Sequence, residues 1–265
     1  MSLYVYCLGD ELPESAFAAL AGVGGAPVRL LRLTGRLAAV VSDAGQEPVV
    51  VTEESLLAHN RVNAAALAVS TPLPFRFGTR AAPERLAEYA ASNDAALAAA
   101  LGRVRGRVEM SAKLMWRAEG DEKTKSKGQK AEGADGEEPS AAGGEHPPAE
   151  ASGEAAAAVG RGTAFLLKKR REVLGEEEAR RRADGLAAWL ASGVGGLACE
   201  SNVRLSPSEA IVVRAAHLVE RARVADYRAR LRGLAAARPD LRLLTSGPWP
   251  PYSFSDVGRG AEART

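Results

Sequence analysis

The 265-residue sequence has few of the residues from which metal sites and disulfide frameworks are built. It contains two cysteines, Cys7 and Cys199, and three histidines, His59, His146 and His217, scattered along the chain. Two thiols cannot form a disulfide framework, and no Cys/His spacing is that of a zinc site. The sequence therefore predicts no metal and no cofactor, and both cysteines are predicted to be small buried apolar side chains.

Long apolar runs are also missing, since none approaches the roughly 18 residues of a membrane helix. The run at residues 3–8 has no basic flank before it and meets Asp10 and Glu11 soon after it, unlike an export signal. We therefore expect a cytoplasmic protein without a membrane span. Its 46% apolar and 26% charged residues are enough for one large domain or two ordinary ones.

The stretch from Glu119 to Gly160 lacks large apolar residues, because Val159 is its only aliphatic residue apart from alanine. Such a segment cannot offset a backbone ordering entropy of roughly 1–2 kcal/mol per residue. Its ten acids and four lysines give a net charge of −6, which leaves +8 on the rest because the whole chain carries +2. We predict a disordered acidic linker at 119–160 between an N-terminal domain at 1–118 and a C-terminal domain at 161–265.

Short-range patterns before the linker predict both strands and helices. Residues 3–8 form the apolar run of a buried strand. Two further apolar runs, 28–33 and 36–42, are separated by Thr34-Gly35 and predict a hairpin. Helices are predicted from Pro13 to Ala21, from a cap at Thr52 to about Ser70, and from Pro83 to about Leu101.

From Arg103 to Trp116 apolar and polar residues alternate, which predicts a strand with one packed and one solvated face. Beyond the linker, patterns predict a helix from about Thr163 to Ala191, a strand from Ile211 to Val219, a helix with a stripe at Val224, Tyr227, Leu231 and Leu234, and a strand from Leu241 to Thr245. The predicted fold class is α/β of the α+β kind. It consists of two small ferredoxin-like α/β domains joined by the disordered acidic linker.

No set of residues typical of catalysis is present. The glycines at 22–25 follow a predicted helix and lack the Lys-Ser/Thr of a phosphate loop, so they predict a turn. No nucleophile-elbow motif occurs. His59 shares a helix stripe with Val62 and Ala66 and is predicted to be partly buried and hydrogen-bonded. The alternative, an enzyme at the junction of the two domains, requires a polar pocket around His59.

Arg103, Arg105 and Arg107 lie on the predicted wet face of the 103–116 strand and could attract phosphates. Aromatic residues make up only 5% of the chain, and none interleaves with this row, so stacking platforms for bases are missing. We expect no nucleic-acid partner, although a polyanion-binding protein stays the alternative. An acidic protein partner, or the acidic linker folding back, would use the same charge.

Two segments suggest more than structural packing. Leu73-Pro74-Phe75-Arg76-Phe77-Gly78-Thr79 places Arg76 between two phenylalanines, and its alternation points the two rings to the core and Arg76 away from it. Gly247-Pro248-Trp249-Pro250-Pro251-Tyr252-Ser253-Phe254 concentrates aromatic residues in a proline-rich, extended stretch near the chain end. This closing segment either straps across its own domain, which we favour, or is displayed to a partner.

At these segments the sequence resembles the GvpF/GvpL family of gas vesicle proteins. The opening Leu3-Tyr4-Val5-Tyr6 and the His59-Asn60 pair belong to the same resemblance, which spans both halves of the chain. The resemblance implies an accessory protein without enzymatic activity that is associated with gas vesicles. Such a protein would bind the small hydrophobic shell protein or other vesicle proteins and support assembly in a chaperone-like manner. Arg76, Phe77, Trp249 and Tyr252 are the candidate contact residues.

Overall fold

Strand β1, Ser2–Asp10, is buried along nearly its whole length. The computed structural model of the protein describes residues 2–45, 48–117, 161–207 and 210–256. Within them it shows a mixed α+β fold with two antiparallel sheets. The predicted acidic linker, 119–160, lies outside the described residues.

The first sheet combines β1 with four other strands in the order β2-β3-β1-β4, and β5 also pairs with β1. The strands are β2 (Val28–Arg32), β3 (Leu37–Ala44), β4 (Leu73–Pro74) and β5 (Arg80–Ala81). The predicted hairpin is confirmed, since β2 and β3 pair in antiparallel register around Thr34-Gly35. The predicted helix at 13–21 is wrong beyond a single 3₁₀ turn, Glu14–Ala16, where the N–H of Phe17 bonds back to the carbonyl of Glu14.

Helices cover both faces of the first sheet, which explains why β1 reads as an unbroken apolar run. Helix α1, Glu53–Val69, packs Val62 and its neighbours against Tyr4 and Tyr6. Helices α2 (Pro83–Ser92) and α3 (Asp94–Val104) pack against Leu3 and its neighbours on the opposite face. The β1 side chains alternate between the two faces except at the bulge between Val5 and Cys7, where Tyr6 and Cys7 lie in the same core. Because both faces are covered, all of these side chains must be apolar or satisfied by hydrogen bonds.

The observed ends of α1 agree with the predicted cap at Thr52 and end near Ser70. The single helix predicted from Pro83 to Leu101 is instead divided into α2 and α3. Thr52 caps α1 through a reciprocal pair of bonds with Ser55. Between α2 and α3, Asn93 leaves helical geometry at φ −119° and ψ 17°. Its side-chain amide donates to the carbonyl of Tyr89 at 2.8 Å. An asparagine that competes for backbone groups in this way ends a helix that alanine content alone would continue.

The second sheet has the order β7-β8-β6-β9. Its strands are β6 (Arg107–Trp116), β7 (Ala198–Leu205), β8 (Ile211–Glu220) and β9 (Leu241–Trp249). Helices α4 (Arg161–Val194) and α5 (Val224–Ala237) cover one face, and side chains such as Leu190 and Leu231 pack there against Val108, Met110 and Leu114 of β6. The described residues contain no helix that could cross a membrane.

Strand β6 belongs to a different sheet from the other strands that precede the predicted linker. β6 belongs to residues 1–118, which were assigned to the N-terminal domain, yet it pairs with β8 and β9 of the second sheet. The predicted alternation of buried and more exposed side chains along β6 is confirmed from Met110 to Leu114. The apolar side chains that pack against its buried face belong to α4 and α5, which come much later in the chain. The predicted linker thus follows one strand of this unit and precedes one of its helices. The domain limits and the ferredoxin-like description stay predictions.

Two further expectations concern single elements. β7 was not predicted, because it is an edge strand with no fully buried residue and its apolar pattern is weak. Cys7 is buried as expected, whereas the expectation for Cys199 is wrong because it is exposed. Cys199 lies where the β7–β8 register shifts between Ala198 and Glu200, so it falls outside the regular alternation.

Candidate functional site

The closing segment, residues 247–254, leaves β9 and crosses to the elements that precede the predicted linker. It begins with a cis peptide bond between Gly247 and Pro248. The backbone N–H of Ser253 donates to Oε2 of Glu109 at 2.7 Å, and the Ser253 hydroxyl donates to Oε1 at 2.9 Å. Phe254 is buried in the core beneath α2 and α3. The segment is therefore a strap, but the prediction that it crosses its own domain is wrong in part, because Phe254 is buried among residues of the first sheet and its helices.

His59 is the centre of a hydrogen-bonded network below this segment. Its Nδ1 lies 3.0 Å from the hydroxyl of Tyr4, and its Nε2 lies 3.0 Å from the hydroxyl of Tyr252. The amide nitrogen of Asn63 lies 3.1 Å from the same Nε2 and 3.2 Å from the carbonyl oxygen of His59. Because a carbonyl only accepts, the second contact orients the amide, so its nitrogen also donates to Nε2.

This arrangement determines the tautomer of the imidazole. Nε2 accepts hydrogen bonds, so the ring proton lies on Nδ1 and is donated to the Tyr4 hydroxyl, which also accepts the N–H of Gly78 at 3.0 Å. Burial lowers the pKa of His59 to about 4 and raises that of Tyr4 to about 12. The network is therefore neutral at pH 7. The expected buried, hydrogen-bonded histidine is confirmed, since His59 is 2% exposed.

The Leu73–Thr79 motif forms one wall of the network. Phe77 is half-buried with its ring edge-on to His59 at 5.6 Å between centroids, and Phe75 is half-buried in the opposite core. Arg76 is exposed between them, as its alternation predicted. Gly78, at φ +84°, adopts the left-handed turn that aims its N–H at Tyr4.

Two open clefts meet at Tyr252. One, of about 310 Å³, is lined by Arg76, Phe75, Tyr89 and Leu97 together with Tyr252. The other, of about 290 Å³, lies between α1 and the closing segment and is called the α1 groove. The residues that line the α1 groove are mostly apolar and include Ala64, Leu67, Ala68, Pro248, Trp249 and Pro250. The structure thus brings three predicted contact residues, Arg76, Trp249 and Tyr252, to adjacent clefts.

Trp249 and Asn63 are the two unusual side chains of the α1 groove. Trp249 is 46% exposed, and its ring N–H donates to the hydroxyl of Ser246 at 3.2 Å. Asn63 is 1% exposed, and its Oδ1 has no hydrogen-bond partner among the described residues. A buried acceptor without a donor costs stability, so a donor brought by a bound molecule would be favoured at this position.

The arginine row predicted at 103–107 is not a strand face. Arg103 lies in the last turn of α3, and Arg105 follows it in the turn before β6. The guanidinium groups bond inside the molecule: Arg103 to the carbonyl of Phe254, Arg105 to Asp10, and Arg107 to the carbonyl of Arg103. These three side chains hold the closing segment, β1 and the end of α3 together.

Sequence reasoning missed Glu109 and Ser253, which join β6 to the closing segment. The alternation along 103–116 predicts that Glu109 lies on the wet face together with Arg107, whereas Glu109 is only 9% exposed. Burial raises the pKa of its carboxyl, and the two bonds from Ser253 partly offset that rise. The only sequence signal was an acid among arginines, which is equally typical of a solvated strand.

Comparisons with known proteins agree with this architecture. The family model described as gas vesicle synthesis protein GvpL/GvpF matches residues 2–256. Gas vesicle protein L of Streptomyces sp. (strain CB03234) is 29% identical and aligns over 96% of this chain and 92% of its own length.

Two crystal structures share the fold. The gas vesicle protein GvpF from Anabaena sp. PCC7120 superposes with a TM-score of 0.71 at 18% identity, covering 96% of each chain. GvpF from Microcystis aeruginosa superposes with a TM-score of 0.66 at 17% identity, covering 96% of this chain and 99% of the other. Because the family model extends over almost the whole sequence, the chain belongs to the gas vesicle synthesis protein GvpL/GvpF family.

Proposed function

We propose that the protein is a non-enzymatic accessory component of gas vesicle assembly that binds the hydrophobic shell protein, or another vesicle protein, through the α1 groove. It acts in the cytoplasm, where vesicles are built. Its two sheets and their helices form two ferredoxin-like units held together by the closing segment. Membership of the GvpL/GvpF family supports the vesicle role, and the α1 groove supports a protein-binding role.

The observation that carries the proposal is Trp249, a large aromatic side chain left 46% exposed beside an apolar groove. Aromatic residues next to apolar pockets are the usual energetic centres of protein interfaces. A shell subunit with an apolar helix would place its side chains against Ala64, Ala68 and the ring of Trp249, with its backbone or a polar side chain near Asn63. Covering that helix before assembly would prevent its aggregation.

The buried hydrogen-bonded state of His59 favours this role over catalysis. Both ring nitrogens already bond to side chains of the protein, and a pKa of about 4 leaves the imidazole a weak base. Tyr252 bonds to His59 and also lines both clefts, so the network supports the floor of the binding surface.

Co-purification with the shell protein tests the proposal, with Trp249→Ala as the binding variant. Loss of a central aromatic contact is expected to weaken association about tenfold or more. Trp116→Ala is the matched control, since Trp116 is 45% exposed at the end of β6 and does not line the α1 groove. Equal binding by both variants would place the contact elsewhere. A folded protein that captures neither the shell protein nor another vesicle protein would overturn the proposed function.

A further inference from the structure

The outer edge of β9 is a strand edge that no described strand pairs with. β9 is the last strand in the order β7-β8-β6-β9, so only one of its two edges has a neighbour. The backbone of its central residues, Leu243 to Ser246, has no hydrogen-bond partner other than β6 among the described residues. Successive residues of a strand direct their N–H and C=O groups to opposite edges, so unpaired backbone groups lie along this outer edge.

The other long edge strands carry charges that oppose pairing with a further strand. β2 contains Arg29 and Arg32, and β7 contains Glu200 and Arg204. Residues 243–246, Leu-Leu-Thr-Ser, contain no charged side chain, and the one arginine of β9 precedes them. Charged residues on an edge are a common protection against pairing with another chain, so the central part of β9 lacks a protection that β2 and β7 have.

A groove of about 340 Å³ lies between β9 and α5, and we call it the β9 groove. Leu243 and Thr245 of β9 point toward it, because their partners in β6, Leu114 and Ala112, face the helices. The residues of α5 that line the groove are Arg228, Leu231, Arg232 and Ala235. Its volume lies within the range of about 300–1,000 Å³ that is usual for ligand pockets. Because β9 is the last strand, the groove opens at the edge of the sheet.

The β9 groove is positively charged, and no acidic side chain lines it. Arg228 and Arg232 are both exposed, and Arg228 donates to the carbonyl of Gly247 at one end of the groove. Arg232 has no hydrogen bond or ion pair within the described part of the chain. The nearby acids are placed elsewhere, since Asp226 lines a different cleft of α5 and Asp240 is bonded to a neighbouring arginine. Two like charges one helical turn apart repel each other, so a carboxylate in the groove would be favoured.

We propose that the β9 groove binds an extended segment of another protein, which adds as a strand to the outer edge of β9 and places a carboxylate against Arg232. Main-chain hydrogen bonds to residues 243–246 hold the segment in place. Side chains two residues before and after the carboxylate lie on the same face of the added strand, so those over Leu231 and Leu243 are apolar. The surface is separate from the α1 groove, so this inference does not depend on the proposed function.

Fluorescence anisotropy of a labelled peptide, Thr-Val-Thr-Glu-Thr-Val-Thr, with the full chain tests the proposal. The peptide is rich in β-branched residues and presents the same side chains in either strand direction. Saturable binding is expected, and it should weaken several-fold when glutamine replaces the glutamate.

A second peptide, N-methylated at the glutamate and at the threonine before it, lacks one N–H on each edge of the strand. It should also bind several-fold more weakly, because main-chain bonds to β9 are lost. Equal binding of the N-methylated and unmethylated peptides would mean that no strand is added and would overturn the proposal.

Two charge reversals of the chain give the comparison. Arg232→Glu changes an exposed side chain without bonds in the described structure, so the fold should be kept, and affinity for the peptide is expected to fall several-fold. Arg61→Glu makes the same change on the exposed surface of α1, outside the second sheet, and should leave the affinity nearly unchanged.

Equal affinities of the two variants would overturn the proposal, as would a parent chain that does not bind the peptide. Dimerisation of the chain that Arg232→Glu abolishes, without peptide binding, would show that a second copy occupies the edge and would overturn it too.

Discussion

The Nε2 atom of His59 lies 3.0 Å from the hydroxyl oxygen of Tyr252, although the two residues are 193 positions apart in the chain. His59 belongs to α1, and Tyr252 belongs to the closing segment that leaves β9. This bond joins a helix of the first unit to the segment that leaves the second sheet, and the bonds from Ser253 to Glu109 hold that segment on β6 of the second sheet. The stability of the molecule should therefore respond to changes in the closing segment.

Removing the Tyr252 hydroxyl should weaken this connection. Tyr252→Phe keeps the ring but deprives Nε2 of His59 of one donor, so the free energy of unfolding is expected to fall by about 1 kcal/mol. Urea unfolding measures the change. Tyr89→Phe makes the same chemical change at a side chain that is 36% exposed, and it should alter the free energy of unfolding by less than about 0.5 kcal/mol. Equal losses in the two variants would argue against the His59 bond.

Stability should fall as the pH drops from about 6.5 to about 4. Burial holds the pKa of His59 and of His217 at about 4, below the value of about 6.5 expected in the unfolded chain. In that window the unfolded chain binds more protons, so each imidazole can lower the free energy of unfolding by up to about 3 kcal/mol. The raised pKa of Glu109 acts in the opposite direction and lessens the loss.

Urea unfolding at pH 7, 5.5 and 4.5 measures this dependence. In His217→Phe the fall between pH 7 and 4.5 should be smaller than in the parent protein, because one buried imidazole is removed. A free energy of unfolding that stays constant or rises over this interval would contradict the burial of both rings.

The Glu109–Ser253 pair should show energetic coupling. Ser253→Ala removes the hydroxyl donor to Oε1 but leaves the backbone N–H on Oε2, and it is expected to cost about 1 kcal/mol. Glu109→Gln replaces one carboxylate oxygen with an amide nitrogen that cannot accept a hydrogen bond, at a cost of about 1–3 kcal/mol.

A double-mutant cycle of Ser253→Ala and Glu109→Gln should give a coupling energy of about 0.5–2 kcal/mol. Ser201→Ala, at an exposed residue of the edge strand β7, is the control and should be nearly neutral. Simple additivity of Ser253→Ala and Glu109→Gln would refute the contact.

Deleting residues 122–155 should leave the folded parts intact. The segment connects β6 to α4, which pack in the same unit, so the shortened connection joins neighbouring elements of one core. Calorimetry is expected to show that cooperative thermal unfolding is retained. Loss of cooperativity would mean that part of this segment is needed to complete the second unit.

Much of the fold could be predicted from local patterns. The caps and apolar stripe of α1, the hairpin at β2 and β3, and the alternation of β6 are short-range features, since each depends on residues a few positions apart. The candidate site was only partly predictable. Arg76 and Trp249 are exposed beside clefts, but the row at Arg103–Arg107 bonds inside the molecule.

The sequence by itself determined the secondary structure of most segments, the charge of residues 119–160 and the motifs shared with the GvpL/GvpF family. Only the tertiary structure decided which sheet β6 joins, how Tyr252 meets His59, and which strand edge lies beside α5. Local patterns arise from interactions between residues close in the chain, so a short stretch of sequence is enough to recognise them. Strand partners and register depend on which distant apolar surfaces bury each other best. This depends on the packing of the whole core, so no short stretch of sequence shows it.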